Sequence, residues 1–209
     1  MQPSFEKLEE LAKELEKHEE FRVIRKLNPA EIAIKAPANG PKKRGLFVDV
    51  ETTGLINKLD EIIELGVVPF EYSETGAICR LCSPNSWLRE PSRTIPTTIT
   101  ALTGITDEMV KNQTVDITKL DELVERTDLI VAHNAKFDRP FLEELSPAFA
   151  RKPWACSMSQ IDWTARGFDG RKLSHLALEH GFFYNGHRAT DDCLAGLKLL
   201  NSADAPPKP

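Results

Sequence analysis

Acidic residues and one histidine lie in three short segments of the chain, and together they suit metal-dependent chemistry. The segment FVDVETTGL holds Asp49 and Glu51, AHNAKFDRPFL holds Asp138, and GHRATDDC holds His187 and Asp192. Four carboxylates and one imidazole are the groups that a two-metal site for cleaving phosphodiester bonds requires. Each segment is ordinary by itself, so the prediction depends on the three segments folding together.

The first segment is predicted to form the end of a buried strand. The apolar run Leu46-Phe47-Val48 leads directly into it. Residues two apart on a strand point to the same face, so Asp49 and Glu51 project together while Val50 faces away. Two like charges on one face repel each other, and partial burial strengthens the repulsion. A divalent cation between the two carboxylates would remove the conflict.

The three segments resemble the motifs of a known enzyme family. The first motif corresponds to residues 49–55, the second to 133–138, and the third to a His followed five residues later by an Asp, here His187 and Asp192. Asp191 is one residue short of that spacing. In these motifs, and in a middle segment at 95–106, the chain resembles the DnaQ-like (DEDDh) 3′–5′ exonucleases over roughly residues 45 to 200.

The resemblance implies a fold, a metal requirement and a role for each residue. The fold would be α/β and RNase H-like, with a mixed central sheet flanked by helices. Asp49, Glu51 and Asp192 would hold one Mg²⁺ or Mn²⁺, and Asp49 would bridge to a second ion, where Asp138 acts through water. His187 would be the general base, since an imidazole with a reference pKa near 6.5 suits that role near neutral pH. Carboxylate ligands favour these hard cations over zinc.

Residues that contact the substrate are predicted by resemblance in the first two segments. Thr52, Thr53 and Leu55 would surround the terminal nucleotide, and Asn134 and Phe137 are further candidates. The alternative for the threonines is a plain Thr-Thr-Gly turn that leaves the strand.

Basic residues near the motifs are candidates for phosphate contacts, although such residues are more often solvated surface. They are Arg139, Arg171, Lys172 and Arg188.

Length and composition indicate one main domain with appendages. The 209 residues carry a net charge of −5, so we expect modest nucleic-acid affinity unless a partner contributes. The charged N-terminus lacks the apolar core of a signal peptide, and no apolar stretch is long enough to span a membrane, which predicts a cytoplasmic protein. Cys79 and Cys82 form a CxxC without a second ligand pair. Reduced thiols are the simplest interpretation, with a regulatory disulfide or an adventitious metal site as the alternative.

The chain is predicted to divide into an N-terminal extension (1–42), an exonuclease domain (43–200) and a disordered tail (201–209). Apolar residues at helical spacing predict an amphipathic helix over 4–18, and alternation predicts a strand over 21–27. This extension is too small to bury a core alone. It either packs on the main domain or docks a partner such as a polymerase.

Further elements are predicted within the main domain. The predicted strands are 45–50, 61–72 and 76–82, the last two forming a hairpin, and 129–132. The predicted helices are 116–126, 135–145, 158–166, 171–180 and 188–200, and 84–112 is predicted to be a loop with short helical pieces.

The function favoured by these features is a metal-dependent 3′–5′ exonuclease acting on single-stranded or frayed DNA in proofreading or repair. The nearest alternative keeps the chemistry but acts on RNA, because the 2′-OH is sensed outside the motifs. A non-catalytic nucleic-acid or polymerase-docking module is disfavoured, since all five chemical positions are filled.

Overall fold

The computed structural model describes residues 3–32 and 40–202. Its strands are β1 (Arg25–Lys26), β2 (Lys42–Thr52), β3 (Ile62–Ser73), β4 (Ile78–Leu81), β5 (Asn85–Leu88), β6 (Leu129–Ala132), β7 (Trp154–Cys156) and β8 (Phe182–Phe183). Its helices are α1 (Phe5–Leu15), α2 (Thr97–Thr103), α3 (Asp107–Val110), α4 (Ile117–Glu125), α5 (Ala135–Leu145), α6 (Leu173–Glu179) and α7 (Ala189–Ser202).

A mixed sheet forms the centre of the described structure. Its strand order is β4-β3-β2-β6-β7, and β5 also pairs with β3. The pairs of β3 with its neighbours are antiparallel, whereas β2–β6 and β6–β7 are parallel. The predicted α/β fold with a mixed sheet flanked by helices is therefore confirmed.

Alternate residues of β2 separate the two faces of the sheet. Leu46 and Val48 pack into the apolar cluster that α4 and α5 cover, while Phe47 packs with Leu197 of α7 on the other face. Because side chains alternate along a strand, Asp49 continues the Phe47 row and faces the side of α7. The side chains on one face of β2 thus lie in the core under α4 and α5, and those on the other face end in the acidic residues.

The N-terminal extension contacts the main domain through its second half. β1 pairs in parallel with β8, and Ile32 is buried in the cluster that contains Phe47. An Arg22 guanidinium nitrogen donates to the carbonyl oxygens of Leu178 and Glu179 at 2.8 and 2.7 Å. The division of the chain at residue 42 stays a prediction, although residues 22–32 pack on the fold.

Helix α1 keeps its apolar residues on the surface. The helix is joined to β1 by Arg25, which forms ion pairs with Glu9 and Glu16. Its four large apolar side chains are each at least 42% exposed. These side chains are Phe5, Leu8, Leu11 and Leu15. The predicted amphipathic helix forms, but its apolar face is not used to pack on the described part of the chain.

Residues 158–166 are not helical, so that prediction is wrong. Side chains there satisfy backbone groups locally: Gln160 accepts from the N–H of Cys156, and Asp162 accepts from the N–H of Ala165. The Trp163 indole donates to the Ser157 carbonyl oxygen and is buried. Such side-chain bonds to the backbone compete with helix formation and favour turns.

Three short strands were not predicted, and one predicted strand is too long. β5, β7 and β8 have two to four residues each, which is too short for a clear period-two pattern. The predicted strand over 21–27 shrinks to β1, whose partner β8 has only two residues.

Other predictions concern the tail, the membrane and the cysteines. The predicted disordered tail began at residue 201, but Asn201 and Ser202 belong to α7, and residues 203–209 lie outside the described residues. Within the described ranges, no helix is both long and apolar enough to cross a membrane. Cys79, Cys82, Cys156 and Cys193 are free thiols.

Gly66 of β3 permits a close approach between the sheet and the start of α7. It lies opposite Asp49 in the strand pair, and a Cβ atom added to it would lie 2.4 Å from the backbone carbon of Ala189 and 2.5 Å from the nitrogen of Thr190. Real Cβ atoms do not approach backbone this closely, so any side chain here must displace the start of α7.

We expect Gly66→Ala to destabilise the fold by about 1–3 kcal/mol, the usual cost of overpacking. Chemical denaturation of the two proteins measures this difference. Gly186→Ala is the control, because the nearest atom to its added Cβ is 3.9 Å away, and its effect should stay within about 0.5 kcal/mol. Equal stability of Gly66→Ala and the parent would show that α7 does not contact the sheet so closely.

Candidate active site

Three of the predicted carboxylates converge at the end of β2. One carboxylate oxygen each from Asp49, Glu51 and Asp192 lies within 4.8 Å of the others. Asp49 and Glu51 come from β2, and Asp192 comes from the first turn of α7. The pairing of β2 with β3 shifts register between Glu51 and Thr52, and such a bulge can re-aim side chains next to a site.

Asp138 reaches the same end of the sheet from α5. Strand β2 continues past the end of its pairing with β6, and there the backbone N–H of Val50 donates to Asp138 Oδ1 at 3.2 Å. Asp138 is buried and lies in the first turn of α5, where the helix dipole favours a carboxylate. Asp138 is thus bound to the β2 backbone at Val50, between Asp49 and Glu51.

Asp192 is fixed by hydrogen bonds from the segment before α7. The Tyr184 hydroxyl donates to Asp192 Oδ1 at 3.0 Å, and the backbone N–H of Arg188 donates to Oδ2 at 3.2 Å. The neighbouring Asp191 instead accepts a bond from the Asn185 side chain. The carboxylates of Asp191 and Asp192 thus bind different partners, and Asp192, which the motif spacing selected, is the one that lies with Asp49 and Glu51.

His187 lies on the exposed approach to α7. Its backbone is left-handed, with φ of 62°. Left-handed backbone is uncommon for residues other than glycine. The side chain of His187 is exposed, and it belongs to the segment that leads into the helix carrying Asp192.

Burial raises the pKa values of all four acids. The pKa of Glu51 rises to about 8, because burial disfavours its charge and Asp192 lies nearby. The pKa values of Asp49 and Asp138 also lie well above their usual range, chiefly through burial. The pKa of Asp192 rises less, since the Tyr184 and backbone bonds offset part of the effect of its burial. A cluster of hard oxygen ligands that repel each other fits a divalent cation such as Mg²⁺ or Mn²⁺.

The candidate substrate residues of the first segment form a loop after β2. The Thr53 hydroxyl accepts from the N–H of Glu61 at 3.0 Å, and the buried Thr52 hydroxyl donates to the Gly54 carbonyl oxygen. Both threonines thus shape the turn, as the alternative interpretation proposed. Leu55 is 81% exposed, so its side chain is available to a ligand.

The two candidates of the second segment differ in their surroundings. Asn134 has left-handed backbone, precedes α5 and lines a cavity of about 620 Å³ together with Arg139 and Met158. The Phe137 ring packs against Phe141 at 5.3 Å between centroids and adjoins the core. Asn134 is therefore open to a ligand, whereas Phe137 also supports α5.

Two polar residues at the site were not predicted. Tyr184 donates a hydrogen bond from its hydroxyl to Asp192. Glu64 is 1% exposed, and it lies directly opposite Glu51 in the strand pair. An acid within the apolar run IIELGVV was the available signal for Glu64, because a charged residue in a buried strand requires a partner.

Without metal, stability should fall as the pH rises from about 4.5 to about 8. In this window the folded Glu51 keeps its proton while an unfolded Glu loses it, so the folded state binds more protons. Thermal unfolding in EDTA at several pH values measures the effect, and Glu51→Gln should flatten the curve. Glu74→Gln, on an exposed turn, is the control. A thermal unfolding midpoint of the parent protein that rises with pH across this window would show that folding does not raise the pKa of Glu51.

The chain has relatives among named proteins. Residues 46–200 match the Exonuclease family model. The chain is 32% identical to the DNA polymerase III subunit epsilon of Treponema pallidum, over 74% of this chain and 73% of that protein. It is 32% identical to the 3′-5′ exonuclease DinG of Bacillus subtilis, over 76% of this chain but only 17% of that protein.

Solved structures agree on the fold. Exonuclease I superposes with a TM-score of 0.63 at 17% identity, covering 78% of this chain and 42% of that one. This likeness supports the RNase H-like architecture. The family match and the relationship to DNA polymerase III subunit epsilon show that the chain belongs to the DnaQ-like family of 3′–5′ exonucleases.

Proposed function

We propose that this chain hydrolyses single-stranded or frayed DNA from the 3′ end, using two Mg²⁺ or Mn²⁺ ions, in proofreading or repair. The observation that carries the proposal is the convergence of Asp49, Glu51 and Asp192 within 4.8 Å. DNA is favoured over RNA because relatives are named as a DNA polymerase III subunit and, for one structural neighbour, as exonuclease I with a dT13 oligonucleotide. A cytoplasmic location is part of this proposal.

The carboxylates have distinct roles in the proposed mechanism. Asp49, Glu51 and Asp192 would hold one ion directly, and Asp49 together with Asp138 would serve the second. Divalent ions bound there would polarise the scissile phosphate, lower the pKa of the attacking water and stabilise the leaving 3′ oxygen. Asp138 keeps its orientation through the Val50 N–H, and Asp192 keeps its own through Tyr184 and Arg188.

His187 is the proposed general base. His187 is exposed and lies five residues before Asp192, directly before Arg188, whose backbone N–H donates to the Asp192 carboxylate. It would take the proton of the attacking water as the phosphorus–oxygen bond to the leaving 3′ oxygen breaks. On the substrate side, the exposed Leu55 and Asn134 are the proposed contacts to the terminal nucleotide, while Thr52, Thr53 and Phe137 shape their surroundings.

The test is digestion of 5′-labelled single-stranded DNA and a matched RNA with Mg²⁺, Mn²⁺ or EDTA. We expect a metal-dependent ladder that shortens from the 3′ end, faster on DNA, and no ladder with Asp49→Asn. His187→Ala should lower turnover by roughly 10²- to 10⁴-fold while Mn²⁺ binding persists. His18→Ala, on the N-terminal extension, is the matched control.

Each outcome of this digestion decides a separate part of the proposal. Faster cleavage of RNA would replace the DNA assignment with the exoribonuclease alternative. No cleavage of either strand would favour the non-catalytic docking module, and near-normal turnover of His187→Ala would show that another group is the base.

The N-terminal extension is proposed to dock a polymerase subunit. The support is the exposed apolar face of α1, with Phe5 79% exposed, together with the relationship to a polymerase subunit. Since Leu8 and Leu11 are 48% and 52% exposed and no described residue of α1 is buried, replacing both with Asp should leave the thermal midpoint nearly unchanged.

Binding to a purified bacterial DNA polymerase III catalytic subunit, followed by analytical ultracentrifugation, tests this docking proposal. The double variant should lose the complex, whereas Ile117→Asp on α4, which is also partly exposed, should retain it. A complex that survives the Leu8 and Leu11 substitutions, or that never forms with the parent protein, would remove α1 as the docking surface.

A further inference from the structure

Glu64 is a buried carboxylate beside the acidic cluster that does not belong to the cluster itself. It is 1% exposed and directly faces Glu51 across the β2–β3 pair. Side chains directly opposite each other on neighbouring strands are close enough to interact. A buried charge at this position needs strong partners, because an uncompensated one is very costly.

The partners of Glu64 come mostly from the start of α7. Arg188 donates to both carboxylate oxygens, from Nε to Oε2 at 3.1 Å and from Nη2 to Oε1 at 2.8 Å. The backbone N–H of Ala189, the first residue of α7, donates to Oε2 at 3.1 Å. The Ser86 hydroxyl of β5 donates to Oε1 at 3.2 Å. Glu64 therefore ties the N-terminal end of α7 to the sheet through three bonds.

The segment held in this way carries two of the candidate catalytic groups. His187 directly precedes Arg188, and Asp192 accepts a hydrogen bond from the Arg188 backbone N–H. The absence of a side chain at Gly66 lets the same segment approach β3. A shift of Arg188 would therefore move both the proposed base and a proposed metal ligand relative to Asp49.

The geometry also distinguishes two roles for Arg188. As a phosphate ligand, it would present its guanidinium group to the substrate. In the structure, Nε and Nη2 instead form a two-pronged pair with Glu64, the arrangement in which an Arg–carboxylate pair is strongest and most directional. Its side chain is 42% exposed, so the group lies at the rim of the site rather than in the open.

We propose that Glu64 and Arg188 form a positioning pair for the exonuclease reaction. The pair holds His187 and Asp192 in register with Asp49 and Glu51, and neither member contacts the substrate. This inference rests on the proposed function and deepens it. Loss of the pair lowers kcat, because the reacting groups are misplaced, and leaves KM for DNA unchanged.

The experiment measures kcat and KM on 5′-labelled single-stranded DNA for Glu64→Gln, Arg188→Gln and the double variant. Each single change should lower kcat by roughly tenfold to a hundredfold, as small misplacements of catalytic groups do, with KM and its salt dependence unchanged. The double variant should be no slower than the slower single variant, because both changes remove the same interaction.

Two control variants test whether a loss of charge or of any surface ion pair would lower kcat in the same way. Arg188→Lys keeps the charge but lacks the fork that reaches both oxygens, so it should fold and still lose kcat. Arg151→Gln removes an ion pair with Glu125 on the surface and should leave kcat unchanged. Circular dichroism at the assay temperature confirms that each variant compared is folded.

Each alternative result has a separate meaning. A raised KM with unchanged kcat and a weaker salt dependence in Arg188→Gln would make Arg188 a phosphate ligand and overturn the inference. Parent-like kcat in folded Glu64→Gln and Arg188→Lys, or additive losses in the double variant, would also overturn it. An inactive parent protein would instead overturn the proposed function, and the positioning pair with it.

Discussion

Repulsion among carboxylates at one end of the sheet, with Asp138 buried and the other three partly buried, determines how the surrounding elements are arranged. The fold brings Asp49, Glu51 and Asp192 together at one end of the sheet and adds Asp138 from α5. Burial and mutual repulsion raise the pKa values of Asp49 and Glu51, so protons on these groups stabilise the cluster when no cation is bound. Divalent cations resolve the same conflict without protons, which links the stability of the site to its chemistry.

Hydrogen-bond donors around the cluster hold the carboxylates in place although the carboxylates repel each other. A backbone N–H of β2 donates to Asp138, and the N–H of Arg188 donates to Asp192. The Tyr184 hydroxyl also donates to Asp192. Glu64 brings a further negative charge to the site, but Arg188 and the start of α7 neutralise it. The close contact at Gly66 then fixes α7 against β3. Positive charge is supplied next to the cluster rather than within it, so the ligand oxygens stay free to bind cations.

The strands and helices that could be predicted from the sequence are those with a long or regular spacing of apolar residues. The alternation from Leu46 to Glu51 correctly indicated which face of β2 carries the acids, and the helix over 135–145 was predicted at its observed bounds. The turns at 158–166 were mistaken for a helix, because Gln160 and Asp162 compete for backbone groups in a way that periodicity does not register. Glu64 was missed because its partner Arg188 is 124 residues away, and only the folded sheet brings them together.

Anomalous diffraction from crystals grown or soaked with Mn²⁺ would locate the metal directly. We expect an anomalous peak coordinated by carboxylate oxygens of Asp49, Glu51 and Asp192, with the Glu64–Arg188 pair intact beside it. Manganese bound elsewhere, with these three acids contacting only each other or water, would show that the acidic cluster is not a metal site.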